Sequence, residues 1–538
     1  VGCTSLTTVD MPKSKDYTVT VGSKSFQNAS SLKVFDLSKV TAIGANAFEN
    51  CSSLTSGSLN SSITELKNNT FAGTGLTSID LNNIKTLGSN VFQGSKLKEI
   101  TLPATITKMG TSVFADCTEL TTANVNATLT TTKKLPDKTF MGCVNLTNVT
   151  IGDSVTEIGA STFAGTALTE INLNNVAKIG NEAFANISSL KTINVNKVLT
   201  LGGYGNTFIG SYGANFVVPE GSELYADGGL LYVGKMLLVN IDKRPNVIVK
   251  PETTSIAPNA FRYNTYVESV SLPTSLTTIE GYYTFADCTN LKSINLENVT
   301  NYKTTTIKST TQDTFKNTAI TELTVVSTDS KVFSNMLNLV KVTFVGENFN
   351  IAANAFLNDT ALSTINVSEG SNIASVGNSA FSGCSSLSSF DVFQGITSLG
   401  TKAFEKTGLV SVVIPEAITS VPDGAFQNCN NLVSVTIHSG VTNFATSSTG
   451  GSFYKDFKLV EVINLGSLPI EVGSTEYGHV AQYALNVITD NETAVDVDED
   501  GYIFYYDGIE HYLVGYIGTE TALRLPVGRL GNNYQVYN

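Results

Sequence analysis

Apolar and polar positions along this chain repeat one short grammar. The stretch Ile158-Gly159-Ala160-Ser161-Thr162-Phe163-Ala164-Gly165-Thr166-Ala167-Leu168-Thr169-Glu170-Ile171-Asn172-Leu173 returns about eighteen times between residues 21 and 463. A phenylalanine marks each copy: Phe26, Phe48, Phe71, Phe92, Phe114, Phe140, Phe163, Phe184 and Phe208, then Phe261, Phe285, Phe315, Phe333, Phe356, Phe381, Phe404, Phe426 and Phe453. Most steps are roughly 21 to 27 residues. A period of that length predicts a solenoid, because one coil cannot bury its apolar face alone and does so only against its neighbours. Five or six positions after the phenylalanine comes a leucine or isoleucine, then an alternating run such as Leu76-Thr77-Ser78-Ile79-Asp80-Leu81 or Leu291-Lys292-Ser293-Ile294-Asn295-Leu296. Apolar residues two apart read as a short strand with one buried face. One strand per coil predicts a parallel sheet spaced at roughly 4.8 Å per coil, in a curved rod on the order of 90 Å long.

The phenylalanine follows an Ile-Gly or Leu-Gly pair (Ile43-Gly44, Leu87-Gly88, Ile179-Gly180, Leu399-Gly400). A glycine there is expected to turn the backbone so that the ring points inward, giving a phenylalanine ladder through the core. Six of the cysteines keep the same phase. Cys51, Cys117, Cys143, Cys288, Cys384 and Cys429 each lie three residues after a repeat phenylalanine and three before a leucine, and Cys3 has the same place before Leu6. Other coils carry Ala29, Ile187, Thr166 or Thr407 near that spot. A position that accepts cysteine, alanine, isoleucine or threonine reads as a small buried packing site; a Cys117 to Cys143 bridge between adjacent coils is the competing reading.

Four segments follow from where the period holds and fails. Residues 1–208 form a first array that starts mid-coil, and 209–258 a β-hairpin module around Asp227-Gly228, flanked by alternating apolar runs. Residues 259–467 form a second array, and 468–538 a second hairpin module with an incomplete coil whose Tyr537 stands where an aromatic is expected. Ends cut mid-coil imply either a piece of a longer array or termini that complete each other between molecules. The pattern IxxIGxxAFxxCxxLxxIxLP, nearly whole from Met109 to Val125 and from Val421 to Ile437, together with the Asp-Gly-aliphatic-aliphatic-Tyr hairpins, resembles the BspA-type (Treponema-like) leucine-rich repeat family of bacterial surface proteins. The resemblance covers nearly the entire chain. It implies a secreted or surface-anchored solenoid, with adhesion to host matrix proteins or other cells as the role attributed to some members.

Composition narrows the function. Charged residues make up 15% of the chain and the net charge is −13; nucleic acid and anionic membranes call for clustered Lys and Arg, which are missing. No apolar run approaches eighteen residues, so no membrane span is expected. Low charge and a Thr/Asn-rich surface fit an extracellular protein. His438, His479 and His511 have no metal spacing, and no nucleophile elbow, HExxH or phosphate-cradling glycine motif accompanies them, so no enzyme is expected.

Three sets of residues are candidates for binding. Asp496, Asp498 and Asp500, then Gly501, Ile503 and Asp507, match the opening of a calcium loop; the competing reading is a plain hairpin turn at Asp500-Gly501, where calcium would release no heat in the micromolar to millimolar range. The tyrosines and arginines form the second set. Of 20 tyrosines, all but Tyr17 fall from Tyr204 to Tyr302 or from Tyr454 to Tyr537, and Arg244, Arg262, Arg524 and Arg529 fall in the same two zones. Both types are enriched in binding hot spots, which selects Tyr225, Tyr232, Arg244, Arg262, Tyr263, Tyr266, Tyr502, Tyr505, Tyr506, Tyr512, Tyr516 and Arg524; tyrosine is also simply a good strand residue. The third set is the outward column of the sheet, Asp36, Asp80, Asn172, Asn194, Asn295, Asn366 and Asp391, which either binds a partner or is a solvated polar ladder. The expectation is an adhesin-like surface protein holding protein or glycan ligands, host matrix among them. The alternative is a subunit joining head to tail through complementary half-coils into a filament, a contact that would not close.

Overall fold

The computed structural model describes residues 2–11, 17–197, 200–302, 312–392, 394–447, 450–489, 493–517 and 534–536. The chain divides into two compact units. The first comprises Val1–Arg244 with Ile256–Tyr266, and the second Pro245–Ser255 with Val267–Asn538.

In the first unit the coils between Glu99 and Leu201 contribute two parallel strands each where one was expected, whereas the run at 76–81, expected as a strand, forms none. The longer is the alternating run: Glu99–Leu102, Thr122–Val125 and Asn148–Ile151 pair in register, with Ile100 opposite Ala123 and Ala123 opposite Val149. The shorter is a two-residue strand just before the repeat glycine, as in Glu157–Ile158, Lys178–Ile179 and Thr200–Leu201, and before Pro136 in Lys134–Leu135. It forms because a β-branched or leucine side chain fills the core there while the adjoining backbone pairs with the coil before, as Gly180 N–H donates to Ile158 O at 2.8 Å.

The glycines act differently from the expectation. Gly44, Gly88, Gly180 and Gly400 have ordinary φ values, and what excludes other residues is proximity: a Cβ on Gly180 would lie 2.5 Å from Ala160 N, and one on Gly400 2.3 Å from Asn378 N. At these four coils the corner stacks too closely for a side chain, whereas Lys67, Pro136 and Pro422 stand at the same phase in other coils. The left-handed turn falls instead on the two residues flanking the phenylalanine at −2 and +2, such as Asn46 (φ 59) and Asn50 (φ 60), Ser161 (φ 53) and Gly165 (φ 71), or Lys402 (φ 58) and Lys406 (φ 58). Alternate N–H groups of this turn reach the next coil: Ser161 to Asn181 O at 2.9 Å, Phe163 to Ala183 O at 2.8 Å and Gly165 to Ala185 O at 2.9 Å.

These three ties per coil stack the rings. From Phe26 to Phe208 successive phenyl groups stack nearly parallel with centroids 5.3 to 5.8 Å apart. The second unit repeats the ladder from Phe285 to Phe453. The cysteines are free thiols, and those in phase with the repeat are buried, whereas Cys3 is exposed. They pack as expected and also donate: Cys51 Sγ to Phe26 O, Cys117 to Phe92 O and Cys143 to Phe114 O, each near 3.0 Å. Burial pushes the Cys51 thiol up to about 11.

Both hairpin modules are present. Leu224–Asp227 pairs antiparallel with Leu230–Val233 across Gly228, and the latter with Met236–Asn240. In the second unit Val495–Val497, Tyr502–Tyr506 and His511–Tyr516 form the equivalent ribbon. Its Ile503, Tyr505 and Val514 pack on Val410, Val433 and Val460 of three consecutive coils. The buried Glu461 carboxylate holds it there, accepting from Ser434 Oγ at 2.6 Å, Thr493 Oγ1 at 2.8 Å and Ala494 N at 2.8 Å.

Candidate functional site

The tyrosines and arginines separate into core and surface. Tyr232 and Tyr505 are 1% exposed and Tyr502 6%, so these three belong to the interior of their modules. Tyr516 leans on Tyr502 with ring centroids 5.0 Å apart. Tyr512 donates its hydroxyl to Asp507 Oδ2 at 3.0 Å, and exposed Tyr506 lies over His511 at 4.6 Å. Arg524 and Tyr537 lie outside the described residues. Arg244 holds a turn together: its guanidinium bonds Asp242 Oδ2 at 2.5 Å and both the carbonyl and the carboxylate of Asp227 at 3.2 Å. These bonds, working against partial burial, hold the guanidinium above its ordinary value. Tyr225 is exposed and lines a groove of about 510 Å³ with Val217, Pro219, Glu220 and Ser222.

The structure does bring Arg262, Tyr263 and Tyr266 together, and adds two residues that the sequence reading did not select. Arg262 lies with its Cζ 4.7 Å from the centre of the Tyr263 ring and donates to the Tyr263 hydroxyl at 3.2 Å. Lys243 sets its Nζ 5.0 Å from the centre of the Tyr266 ring. Tyr212 meets Tyr266 edge to face at 6.0 Å and donates its hydroxyl to Arg262 O at 2.8 Å. Asn264 fixes the turn, giving its amide to Asp242 O at 2.8 Å and taking Tyr266 N–H at 3.0 Å. Cation–ring contacts of this kind contribute about 0.5–1 kcal/mol at exposed sites, enough to orient side chains that remain in water. Tyr212 carried a signal, since it lies in the first tyrosine zone; Lys243 had none beyond its place beside Arg244.

The four carboxylates of the calcium reading are not gathered. Asp496 stands on a strand opposite Phe504. Asp498 Oδ1 accepts the backbone N–H groups of Asp500 and Tyr502 at 3.1 and 2.8 Å. Asp507 accepts those of Ile509 and Glu510 at 2.8 Å, which hold its carboxyl below the ordinary value. Among the described residues no group of three or more His, Cys, Asp or Glu could hold a metal ion. Much of the outward column is occupied with local bonds. Asp36, Asp80 and Asn172 each accept the backbone N–H two residues on, at 2.9 to 3.0 Å. Asn172 and Asn194 stand in register, Asn295 bonds Leu272 N and O, and Asn366 faces Thr343. Asp391 borders a groove of about 500 Å³ with Val413, Glu416 and His438. Among the described residues no helix is long and apolar enough to cross a membrane.

A family model described as the BspA type leucine rich repeat region matches in six copies, over residues 1–121, 122–220, 229–340, 254–373 and 349–466. No curated protein matches. Among solved structures, a leucine-rich repeat protein from Eubacterium ventriosum is 18% identical over 69% of this chain and 82% of its own, with a TM-score of 0.31. A leucine rich cell surface protein from Faecalibacterium prausnitzii is 20% identical over 86% and 87%, with a TM-score of 0.28.

Proposed function

Since the chain belongs to the BspA-type leucine-rich repeat family, we propose that it is a non-enzymatic binding protein of the cell exterior that holds a protein or glycan partner through the Tyr–cation surface of its first unit. The carrying observation is the exposure of Tyr263 and Tyr266, 39% and 43%, each with a cation set over its ring. Aromatic rings held rigidly in water give large contact area at low entropic cost, and the stacked coils behind them act as a stiff support. The low charge and Thr/Asn-rich surface support an extracellular setting. The test is attachment of the labelled chain to matrix-coated surfaces and to whole cells, beside a Tyr263→Ala, Tyr266→Ala double variant. Saturable attachment lost in the variant is expected; a variant that attaches like the parent would remove this surface from the function.

A further inference from the structure

We infer that Tyr212, Lys243, Arg262, Tyr263 and Tyr266 form a site for an acidic polysaccharide whose sugars carry carboxylates. This rests on the binding role proposed above and names its partner. Both elements of such a ligand find a counterpart. The flat C–H face of a sugar packs on an aromatic face, and Tyr263 and Tyr266 keep open ring surface. A uronate carboxylate at the edge of the sugar takes a cation, and a cation accompanies each ring at 4.7 and 5.0 Å. Guanidinium and ammonium groups are the natural partners of carboxylates.

The charges nearby strengthen the case. The chain as a whole carries −13, so a surface that gathers cations departs from its surroundings. The adjacent carboxylates, Asp227 and Asp242, are both bonded to Arg244, while Lys243 forms no salt bridge to any of the described residues. The cluster is also set before a ligand arrives. The edge-to-face contact of Tyr212 with Tyr266 and the hydrogen bond from Tyr212 to Arg262 O fix the turn that carries both rings, which reduces the ordering cost of binding.

A protein partner fits less well. Protein interfaces centre on an apolar anchor sunk in a desolvated pocket. Beside the rings here stand Asn264, which takes the Tyr266 N–H at 3.0 Å, and Asn259, whose Oδ1 takes Arg262 Nη1 at 3.3 Å. Polar framing around half-exposed rings suits a hydroxyl-rich, charged chain.

The test uses the full chain and calorimetric titration with oligogalacturonate, a neutral glucan and poly-glutamate, at low and physiological salt. Oligogalacturonate is expected to bind, the glucan not, and affinity to fall with added salt, which screens the charges and makes counterion release on binding less favourable. Lys243→Ala and Tyr266→Ala should each weaken oligogalacturonate at least tenfold without moving the melting temperature, with Lys243→Arg restoring it. Poly-glutamate bound as tightly, with Tyr266→Ala neutral, would overturn the inference in favour of an acidic protein. No oligogalacturonate binding, while the double tyrosine variant still loses attachment to cells, would overturn the inference and leave the broader role standing. Loss of neither would overturn both.

Discussion

Two coils place an aspartate where most of the others carry cysteine, serine, threonine or an apolar residue, and this sets a pH dependence that can be worked out. Asp359 and Asp456 lie three residues after Phe356 and Phe453 and are 0% and 1% exposed. Each Oδ1 accepts one backbone N–H at 2.8 Å, from Met336 and from Cys429, and each Oδ2 finds no hydrogen-bond partner. Burial holds both carboxyls well above their ordinary value. The sign follows from linkage. Below about pH 3.9, the unfolded value, both states keep the proton. Above it the unfolded chain releases a proton that the folded chain retains, so stability falls as pH rises, by up to about 1.4 kcal/mol per pH unit and per aspartate, until the folded carboxyl ionises. At pH 6 that amounts to as much as roughly 3 kcal/mol per site. Asp359→Asn keeps the Oδ1 acceptor and removes the titration, at the cost of an unsatisfied amide N–H of about 1–3 kcal/mol at every pH. The variant should therefore be less stable than the parent near pH 4 and draw level or overtake it between about pH 5 and 7. Urea midpoints followed by circular dichroism across that range measure the crossing; midpoints are the right readout because a long array need not unfold in two states. Two profiles that run parallel would refute the buried neutral carboxyl.

Phe163 stacks between Phe140 at 5.7 Å and Phe184 at 5.3 Å, so Phe163→Ala is expected to cost about 3–5 kcal/mol, seen as a lowered melting temperature; an unchanged melt would argue against the ladder as a source of stability. Gly180→Ala drives a methyl to 2.5 Å from Ala160 N and should cost about 1–3 kcal/mol through overpacking, read in the same melt; a neutral result would mean the corner can open. Lys402 sits at φ 58, where an L-residue is strained by about 1–2 kcal/mol and glycine loses about 0.5–1, so Lys402→Gly should stabilise by up to about 1 kcal/mol in denaturant titration. With Asp498 and Asp507 bonded to backbone N–H groups, millimolar calcium is expected to leave the melting curve in place; a rise would mean the aspartates rearrange around the ion.

What could be read from the chain and what could not divides along a physical line. The phenylalanine period was legible because the core demands one chemical type at one phase, and Phe48, Phe163 and Phe404 all meet that demand at full burial. The left-handed pair around each phenylalanine was not, because backbone bonds between coils impose that conformation on whatever residue stands there: Asn46, Ser161, Glu182 and Lys402 adopt it alike. The second strand was hidden for a related reason, since two residues show no alternation. Tyrosine enrichment mixed two populations. Tyr225 and Tyr232 are direct cross-strand neighbours, but the first stands on the edge strand and is 44% exposed, while the second stands on the central one and is buried. Tyr505 is buried for a reason further off, the valines at 410, 433 and 460 that receive its module. An enrichment count weighs all of these tyrosines equally; only the neighbours supplied by the fold separate the buried rings from exposed ones such as Tyr263 and Tyr266, the latter beside a lysine that no sequence signal marked.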